Sequence, residues 1–335
     1  MRVLHLPYGP SMIELCRALR AKGVDATACH FDENNFEFEP DLCLRLNSLS
    51  SPERENCIHT FLQKAIETYD IFHFHFGATF FPDKRDLKRL KQAGKKMVVH
   101  HHGSDIRVGS IARSFNNPYV RVKPEWTEEK IYANIATLSN YIDHAIVQDP
   151  ELECYISNVY EHTHIIPHTI DVRQFTPNYP DSNTSTPLIV HAPTSRNLKG
   201  TEFILNAVST LKRKGIPLKF KLIEGYTYQE TKQLLSQADI VIDQLRIGAS
   251  GFISSEAMAF GKPVICYIRE DLVDKYSGKL PIVNANPSTI LTVLKELVQN
   301  PVKWGELGRE GRKYIESFHD APIVADRYID IYKAL

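Results

Sequence analysis

The feature that most constrains this chain is an alternation of short apolar runs with longer helical stretches, in two series separated by a polar, proline-rich segment. Arg2 to Leu6 reads as a strand and runs into Pro7-Tyr8-Gly9-Pro10. Ser11-Met12-Ile13-Glu14 has capping-box spacing. It predicts a helix carrying Ile13, Leu15, Cys16 and Leu19 that stops at Gly23. Val24 to Phe31 reads as the next strand, which makes a strand–helix–strand unit of Rossmann-like type. The pattern returns with Ile71–Phe76 (strand), Asp83–Ala93 (helix), Met97–His102 (strand), Glu128–Tyr141 (helix) and His144–Val147 (strand), and His164–Pro167 closes the series.

Between Asp171 and Pro187 the composition shifts to Pro177, Pro180 and Pro187 among Asn, Ser, Thr and Asp, the mark of an interdomain linker. The second series runs Leu188–Ala192 (strand), Thr201–Arg213 (helix), Leu218–Ile223 (strand), Tyr228–Ser236 (helix), Ile240–Ile242 (strand), Ile253–Phe260 (helix) and Val264–Cys266 (strand). Helices near 287–299 and 301–315 follow, and 320–335 is amphipathic. Short apolar strands alternating with helices imply parallel sheets covered on both faces. The expectation is an α/β chain of two Rossmann-like, doubly wound domains facing a cleft, 1–170 and 171–319, with the helix about 320–335 free to pack back on the first.

A length of 335 residues accommodates two domains. Lys plus Arg number 40 and Asp plus Glu 40, which argues against a polyanion-coating protein and against an acidic disordered chain. No window approaches eighteen consecutive apolar residues, and Met1–Pro7 is too short an apolar run for a signal peptide. None of the six cysteines forms a C-x-x-C pair, so they read as free thiols in a reducing compartment. These readings point to a cytoplasmic protein, with association at the inner face of a membrane left open.

The strongest chemical signal is Gly251-Phe252-Ile253-Ser254-Ser255-Glu256-Ala257-Met258-Ala259-Phe260-Gly261-Lys262-Pro263-Val264-Ile265. A glycine loop opens a helix whose free N–H groups and dipole favour a phosphate. Glu256, about one turn in, could accept hydrogen bonds from a ribose diol, as the acidic residue of dinucleotide sites does. The plainer reading is a surface glutamate in a helix's first turn, and spacing alone does not separate the two.

This segment resembles the C-terminal donor motif of the large retaining GT-B glycosyltransferase family often called family 4, or group 1. His102-Gly103-Ser104-Asp105 resembles that family's His-Gly-x-Asp loop, Ile166–Pro177 its interdomain segment, and Lys199-Gly200-Thr201 its Lys-Gly turn. The motifs keep their order over nearly the whole chain. The resemblance implies a GT-B fold and transfer of a hexosyl unit from a nucleotide diphosphate sugar, with UDP-sugars favoured over GDP-sugars. The acceptor would be a glycan, lipid-linked or other hydroxyl compound in bacterial cell-envelope or polysaccharide synthesis. By the same resemblance Glu256 would bind the ribose, and Arg196 and Lys199 would hold the diphosphate and stabilise the leaving group. Gly251, Phe252 and Ile253, with Ser250, would cradle the donor, and His102 would approach its sugar. Gly9, Asp105, Arg107 and Arg113 are the candidates on the acceptor side. No cofactor and no metal are implied.

Two departures stand out. The family's second glutamate, eight residues before the ribose-binding one, falls here on Gly248, which puts the donor-sugar contact in doubt and leaves Ser250 or Asp243 as conjectural substitutes. The segment between Leu222 and Ile240 is short by one αβ unit, so Tyr226 or Tyr228 would serve as any base platform.

Alternation puts His100 and His102 on one face of a strand and His101 on the other, and His73 and His75 lie two apart on another. Two same-face histidines could ligate zinc, but no acid or cysteine stands at a recognised metal spacing, so buried or cleft-lining histidines with hydrogen-bond partners are the expectation.

From residue 84 to 123 there are eleven basic residues against two acids, an excess of about nine. Lys88 to Lys96 reads as a solvated helix face. Arg107 to Lys123 follows the His-Gly loop, and suggests contact with an anionic acceptor or an anionic membrane surface. Nucleic acid is the poorer partner, for want of interleaved aromatics. Two other functions compete with the transferase. One is a degenerate, non-catalytic GT-B binding protein. The other is a nucleotide-sugar epimerase or hydrolase on the same fold.

Overall fold

The computed structural model describes residues 1–335 and divides into two compact units. The first comprises Met1–Val108, Pro124–Thr169 and Ala321–Leu335, and the second Gly109–Lys123 and Ile170–Asp320.

The first unit is built on β1 (Arg2–Leu6), β2 (Asp25–His30), β3 (Leu42–Cys43), β4 (Ile71–His75), β5 (Lys96–His101), β6 (His144–Val147) and β7 (His162–Ile165). They lie in the order β3-β2-β1-β4-β5-β6-β7, and every pairing is parallel. The central strands are buried almost throughout, as parallel strands covered on both faces are, and the polar side chains they bury are histidines. From β1 the chain winds outward to β3, then returns to β4 and winds the other way. The carboxyl ends of β1 and β4 therefore flank the topological switch point, where α/β sheets open a crevice. The C-terminal helix Ala321–Ala334 packs on the first helix, Pro10–Ala21, and joins Val324, Tyr328, Ile331 and Tyr332 to Met12, Leu15, Cys16 and Leu19 in one apolar cluster.

Local chemistry departs from expectation at two places. The capping box at Ser11 does not form. The helix begins two residues earlier than that box would set it, at Pro10, with Gly9 as its N-cap and no side-chain cap. Proline suits the first helical position because its missing N–H would have no partner there. A capping box closes instead at Thr227, whose backbone N–H donates to Glu230 Oε2 at 2.8 Å while its hydroxyl accepts from the Glu230 N–H at 3.3 Å. The segment 32–70, unassigned from sequence, contains β3 and the helix Ser51–Thr68. That helix buries only Ile58, Leu62 and Ala65, a stripe too thin to stand out as periodicity.

The second unit is built on β8 (Leu188–His191), β9 (Lys219–Leu222), β10 (Ile240–Ile242), β11 (Val264–Cys266) and β12 (Ile282–Asn284), ordered β12-β11-β10-β8-β9 and all parallel. One apolar cluster gathers the helices Thr201–Arg213 and Ile290–Val298 with fully buried Trp304, whose indole N–H donates to the Leu297 carbonyl at 2.7 Å. A separate cluster gathers the helices Phe252–Ala259 and Val302–Phe318. The switch point lies between β8 and β10. Gly109–Lys123, placed in the first domain by the sequence reading, is bonded into this unit. Asn117 Nδ2 donates to the carbonyls of Arg246 and Ile247 at 2.8 and 3.1 Å, and Arg269 sits 4.3 Å over the Phe115 ring. Both units are doubly wound parallel α/β units of Rossmann-like type. All six cysteines are free, and no helix is long and apolar enough to cross a membrane.

Candidate functional site

In the second unit the switch point is filled by a network centred on Asp243, the residue that follows β10. Asp243 is 2 % exposed. Its Oδ1 accepts from Lys199 Nζ at 2.8 Å, and its Oδ2 accepts from the Gly251 N–H and the Ser254 hydroxyl, each at 2.7 Å. Burial alone would raise its pKa, but Lys199 and the two hydrogen bonds outweigh burial and hold it below the ordinary carboxylate value. Gly251 is required here for space. A Cβ at this position would lie 2.6 Å from Asp243 Oδ2 and 2.9 Å from Lys199 Nζ. Lys199 comes from the short helix Arg196–Lys199, closed by Gly200 in the left-handed region.

Five residues after Gly251, the helix Phe252–Ala259 buries Glu256. Glu256 Oε1 accepts from the Tyr228 hydroxyl at 2.5 Å. Tyr228 therefore stands beside Glu256, and its ring in turn carries the Lys232 ammonium 5.4 Å from its centroid. Arg196 faces outward and is held by exposed Glu224, with Nε donating to Oε1 at 2.8 Å. His191, which ends β8, donates through Nδ1 to the Ile242 carbonyl and accepts at Nε2 from Thr201, both at 2.8 Å. Burial lowers its pKa to about 4, so it is a neutral tie between β8 and β10.

The place of the missing glutamate has a structural cause. Gly248 has φ +92°, and a Cβ on it would lie 2.4 Å from Arg269 Cγ. No side chain fits there without displacing Arg269. Ser250 is half-buried in the same loop.

The first unit's switch point is lined with imidazoles. His5, His73, His75 and His100 are at most 4 % exposed, and His102 is half-buried. Register explains the gathering, since His5 lies opposite His73 and His75 opposite His100 on neighbouring strands. His75 Nε2 is 3.2 Å from His5 Nδ1, and His75 Nδ1 is 3.0 Å from His102 Nε2. Tyr332 and Tyr328, from the C-terminal helix, reach His73 Nδ1 at 2.7 Å and His100 Nδ1 at 3.2 Å. Burial, and then the neighbouring rings, hold the His73, His75, His100 and His102 pKa values well below 6.5, so the rings are neutral at pH 7.

His101 points the other way, as alternation expects, to Asp105 Oδ2 at 2.7 Å and Tyr160 at 3.0 Å. Asp105 Oδ1 accepts from the backbone N–H groups of His102 and Gly103, at 3.0 Å each, and so shapes the His-Gly loop from within. Arg107 is paired with buried Glu151, its Nε donating to Oε1 at 2.9 Å and Nη2 to Oε2 at 2.6 Å. The Gly9 N–H donates to His30 Nε2 at 3.2 Å. Arg113 is exposed and lies on the segment bonded into the second unit.

Lys199, Ser250, Gly251, Phe252, Ile253 and Glu256 are thus carried by one switch point. Gly9, His102, Asp105 and Arg107 belong to the other unit. The sequence reading missed the residues that organise each group. Asp243 and Tyr228 were named there only in passing, and Ser254, His5, Tyr328 and Tyr332 were given no role. The signal that was available is that β1, β4 and β5 each carry histidine at or next to the carboxyl end.

No family model matches the chain, and no curated protein matches it in sequence. Solved structures do resemble it. Sucrose-phosphate synthase from Thermosynechococcus elongatus aligns over 100 % of this chain and 99 % of its own, at 15 % identity and a TM-score of 0.68. Anabaena HepE in complex with UDP aligns over 100 % of both chains at 13 % identity and a TM-score of 0.67, and HepE was also solved with UDP-glucose. A UDP-N-acetylglucosamine 2-epimerase from Rickettsia bellii covers 100 % of this chain and 96 % of its own, at 12 % identity and a TM-score of 0.55. At these identities the likeness is one of fold.

Proposed function

We propose that this chain is a retaining glycosyltransferase that moves a hexosyl unit from a nucleotide diphosphate sugar, a UDP-sugar by preference, to a hydroxyl acceptor in polysaccharide or cell-envelope synthesis. The observation that carries the reading is the Lys199–Asp243–Gly251–Ser254 network at the carboxyl end of β10, on the helix that bears Glu256. An ammonium has three N–H donors, and Asp243 uses one, so Lys199 keeps two for diphosphate oxygens. Asp243 fixes that charge in place before the donor arrives, which is the condition for stabilising a leaving group as its negative charge grows. Arg196 adds a second cation if its exposed partner Glu224 yields. A carboxylate offers about four acceptor positions. Tyr228 donates to one oxygen of Glu256, and the proposed role has a ribose diol donate to the same carboxylate. With retention, the acceptor hydroxyl attacks on the face the diphosphate leaves, and a phosphate oxygen takes its proton. His102 is assigned to the donor sugar. The UDP preference is supported by HepE, solved with UDP and UDP-glucose. Neither a metal nor a cofactor is invoked for this transfer.

The test is calorimetry with UDP, GDP, ADP and their sugars. The expectation is saturable UDP binding, and a stabilisation of about 2.7 kcal/mol at a hundredfold excess over Kd. Glu256→Ala should weaken binding by roughly 1.5–3 kcal/mol, the range of hydrogen bonds to charged groups. Absence of binding by any nucleotide in the panel would falsify the donor site and favour the non-catalytic binding module.

A second reading has its own support. Gly248 removes the acid expected on the donor sugar, and an epimerase shares the fold along the full chain. Incubating the bound UDP-sugar without acceptor separates the two. Turnover under that condition would make the chain an epimerase or hydrolase.

A further inference from the structure

We propose that His75, His100 and His102 form a site for a divalent transition-metal ion of the zinc and cobalt class. One nitrogen from each of the three rings lies within 4.8 Å of the other two. Hydrogen bonding between rings accounts for only part of this arrangement. His75 Nδ1 and His102 Nε2 are 3.0 Å apart and could share a proton, but that leaves His100 Nε2 buried with no hydrogen-bond partner. A metal ion would engage all three nitrogens. Four tetrahedral bonds of 2.0–2.1 Å set ligand nitrogens about 3.3 Å apart, close to the spacing His75 and His102 already have.

The surrounding groups fit the assignment. A ligating imidazole donates its other N–H to an oriented partner. With Nδ1 on the metal, His75 turns Nε2 to His5 Nδ1 at 3.2 Å. With Nε2 on the metal, His100 turns Nδ1 to the Tyr328 hydroxyl at 3.2 Å. His102 rests on the Phe76 ring, centroids 4.0 Å apart, and its stacked contact with His100 at 4.2 Å must open for both rings to point at one ion. A second triad, His5–His73–His75, shares His75 but is almost wholly enclosed, and Tyr332 already bridges His5 and His73. Half-buried His102 gives the outer triad its way in. Three neutral nitrogens leave a fourth position and an uncompensated double charge, and both favour an anionic oxygen, from hydroxide, carboxylate or phosphate. No step of the proposed transfer depends on the ion.

The chelator-stripped full chain, titrated with Co(II), should take up one equivalent and give the intense visible bands of a tetrahedral ion. Zn(II) should displace it. His100→Gln removes a ligand, and should weaken binding by more than the roughly 10–100-fold expected when an outer partner is lost. Tyr328→Phe removes only that outer hydroxyl, and should fall within the range. His162→Ala, on an exposed ring, is the control and should bind as the parent does. His102, which the proposed function also uses, is left intact in every variant, so donor binding and metal binding can fail separately. Should His100→Gln not fold, X-ray absorption on the zinc-loaded parent decides, with three imidazoles at 2.0–2.1 Å expected. Fewer than three imidazoles, a six-coordinate cobalt spectrum, or equal affinity in parent and His100→Gln overturns the site and leaves adventitious binding.

Discussion

The two switch points have the same origin and opposite contents. Each lies where a parallel sheet reverses its winding, between β1 and β4 in one unit and between β8 and β10 in the other. The first is lined with uncharged imidazoles that touch one another and two tyrosines. The second holds a buried lysine–aspartate pair wrapped by a glycine amide and a serine hydroxyl, with a single histidine acting as a tie. Topology supplies the crevice, and side chains decide what the crevice can hold. Neutral nitrogens suit a soft or borderline cation. A fixed ammonium at a glycine-opened helix suits a phosphate.

The sharpest way to break the contrast is to remove the charge that defines the second site. Lys199→Met would leave Asp243 buried with its two hydrogen bonds and no cation. Breaking a buried pair in this way costs about 3–5 kcal/mol, and denaturant titration of the full chain should show it. The exposed pair Arg2–Asp70, 44 % exposed on both sides, is the control. Its loss should cost under about 1 kcal/mol. Equal costs would mean that the Asp243 site is wetter than its burial indicates.

The tie at His191 gives the next largest effect, as a slope rather than a level. Its folded pKa of about 4 lies below the ordinary 6.5. Between those values the unfolded chain binds a proton that the folded one does not, so stability rises with pH across that window. Acidifying from pH 7 to 4 should therefore cost the second unit about 3 kcal/mol through this residue. His191→Gln lowers stability at pH 7 but should flatten the slope. Hydrogen exchange on β8 and β10 peptides isolates the unit from the first unit's own imidazoles. An unchanged slope would show that His191 titrates normally.

Much of this was legible in the sequence, and the gaps have physical causes. Ile240–Ile242, Val264–Cys266 and Thr201–Arg213 were read to the residue because buried parallel strands are continuous apolar runs and a long helix shows its period. The two residues of β3 carry no period at all. Lys199, Gly251 and Glu256 could be found from linear motifs. Their partners Asp243, Ser254 and Tyr228 could not, because those contacts are made across the end of a sheet. The histidines show the limit best. Alternation within one strand separated His101 from His100 and His102 correctly. The juxtaposition of His5 with His73, and of His75 with His100, depends on sheet order and register between strands distant in sequence.

Gly248 sharpens the comparison inside the second site. Gly248→Glu would restore the acid that the resemblance expects. It would also place a Cβ 2.4 Å from Arg269 Cγ on a backbone of positive φ. A non-glycine residue in such a conformation costs of order 1–3 kcal/mol before any clash. The variant should lose about 2 kcal/mol of stability and gain no affinity for a UDP-sugar. A stable variant that binds more tightly would show that the loop can rearrange to take the second glutamate.

The smallest expected effect tests the basic segment. Arg113 and Arg121 are exposed on Gly109–Lys123, which Asn117 ties to the Arg246 and Ile247 carbonyls. Exposed substitutions away from packed features shift stability by no more than about 0.5 kcal/mol, so thermal unfolding of Arg113→Glu and Arg121→Glu should stay near the parent's. If the segment meets an anionic acceptor or membrane, each basic residue near such a surface contributes about 1 kcal/mol. Neutralising one should then weaken binding to anionic vesicles by about fivefold, and reversing its charge by more. Raised salt should shrink the difference, because exposed charges are screened. Co-sedimentation with vesicles of stated anionic content measures this directly. Binding that is unchanged by both reversals and insensitive to salt would remove the segment from the acceptor side, and Lys199 and Arg196 would then be the cations left to the proposed chemistry.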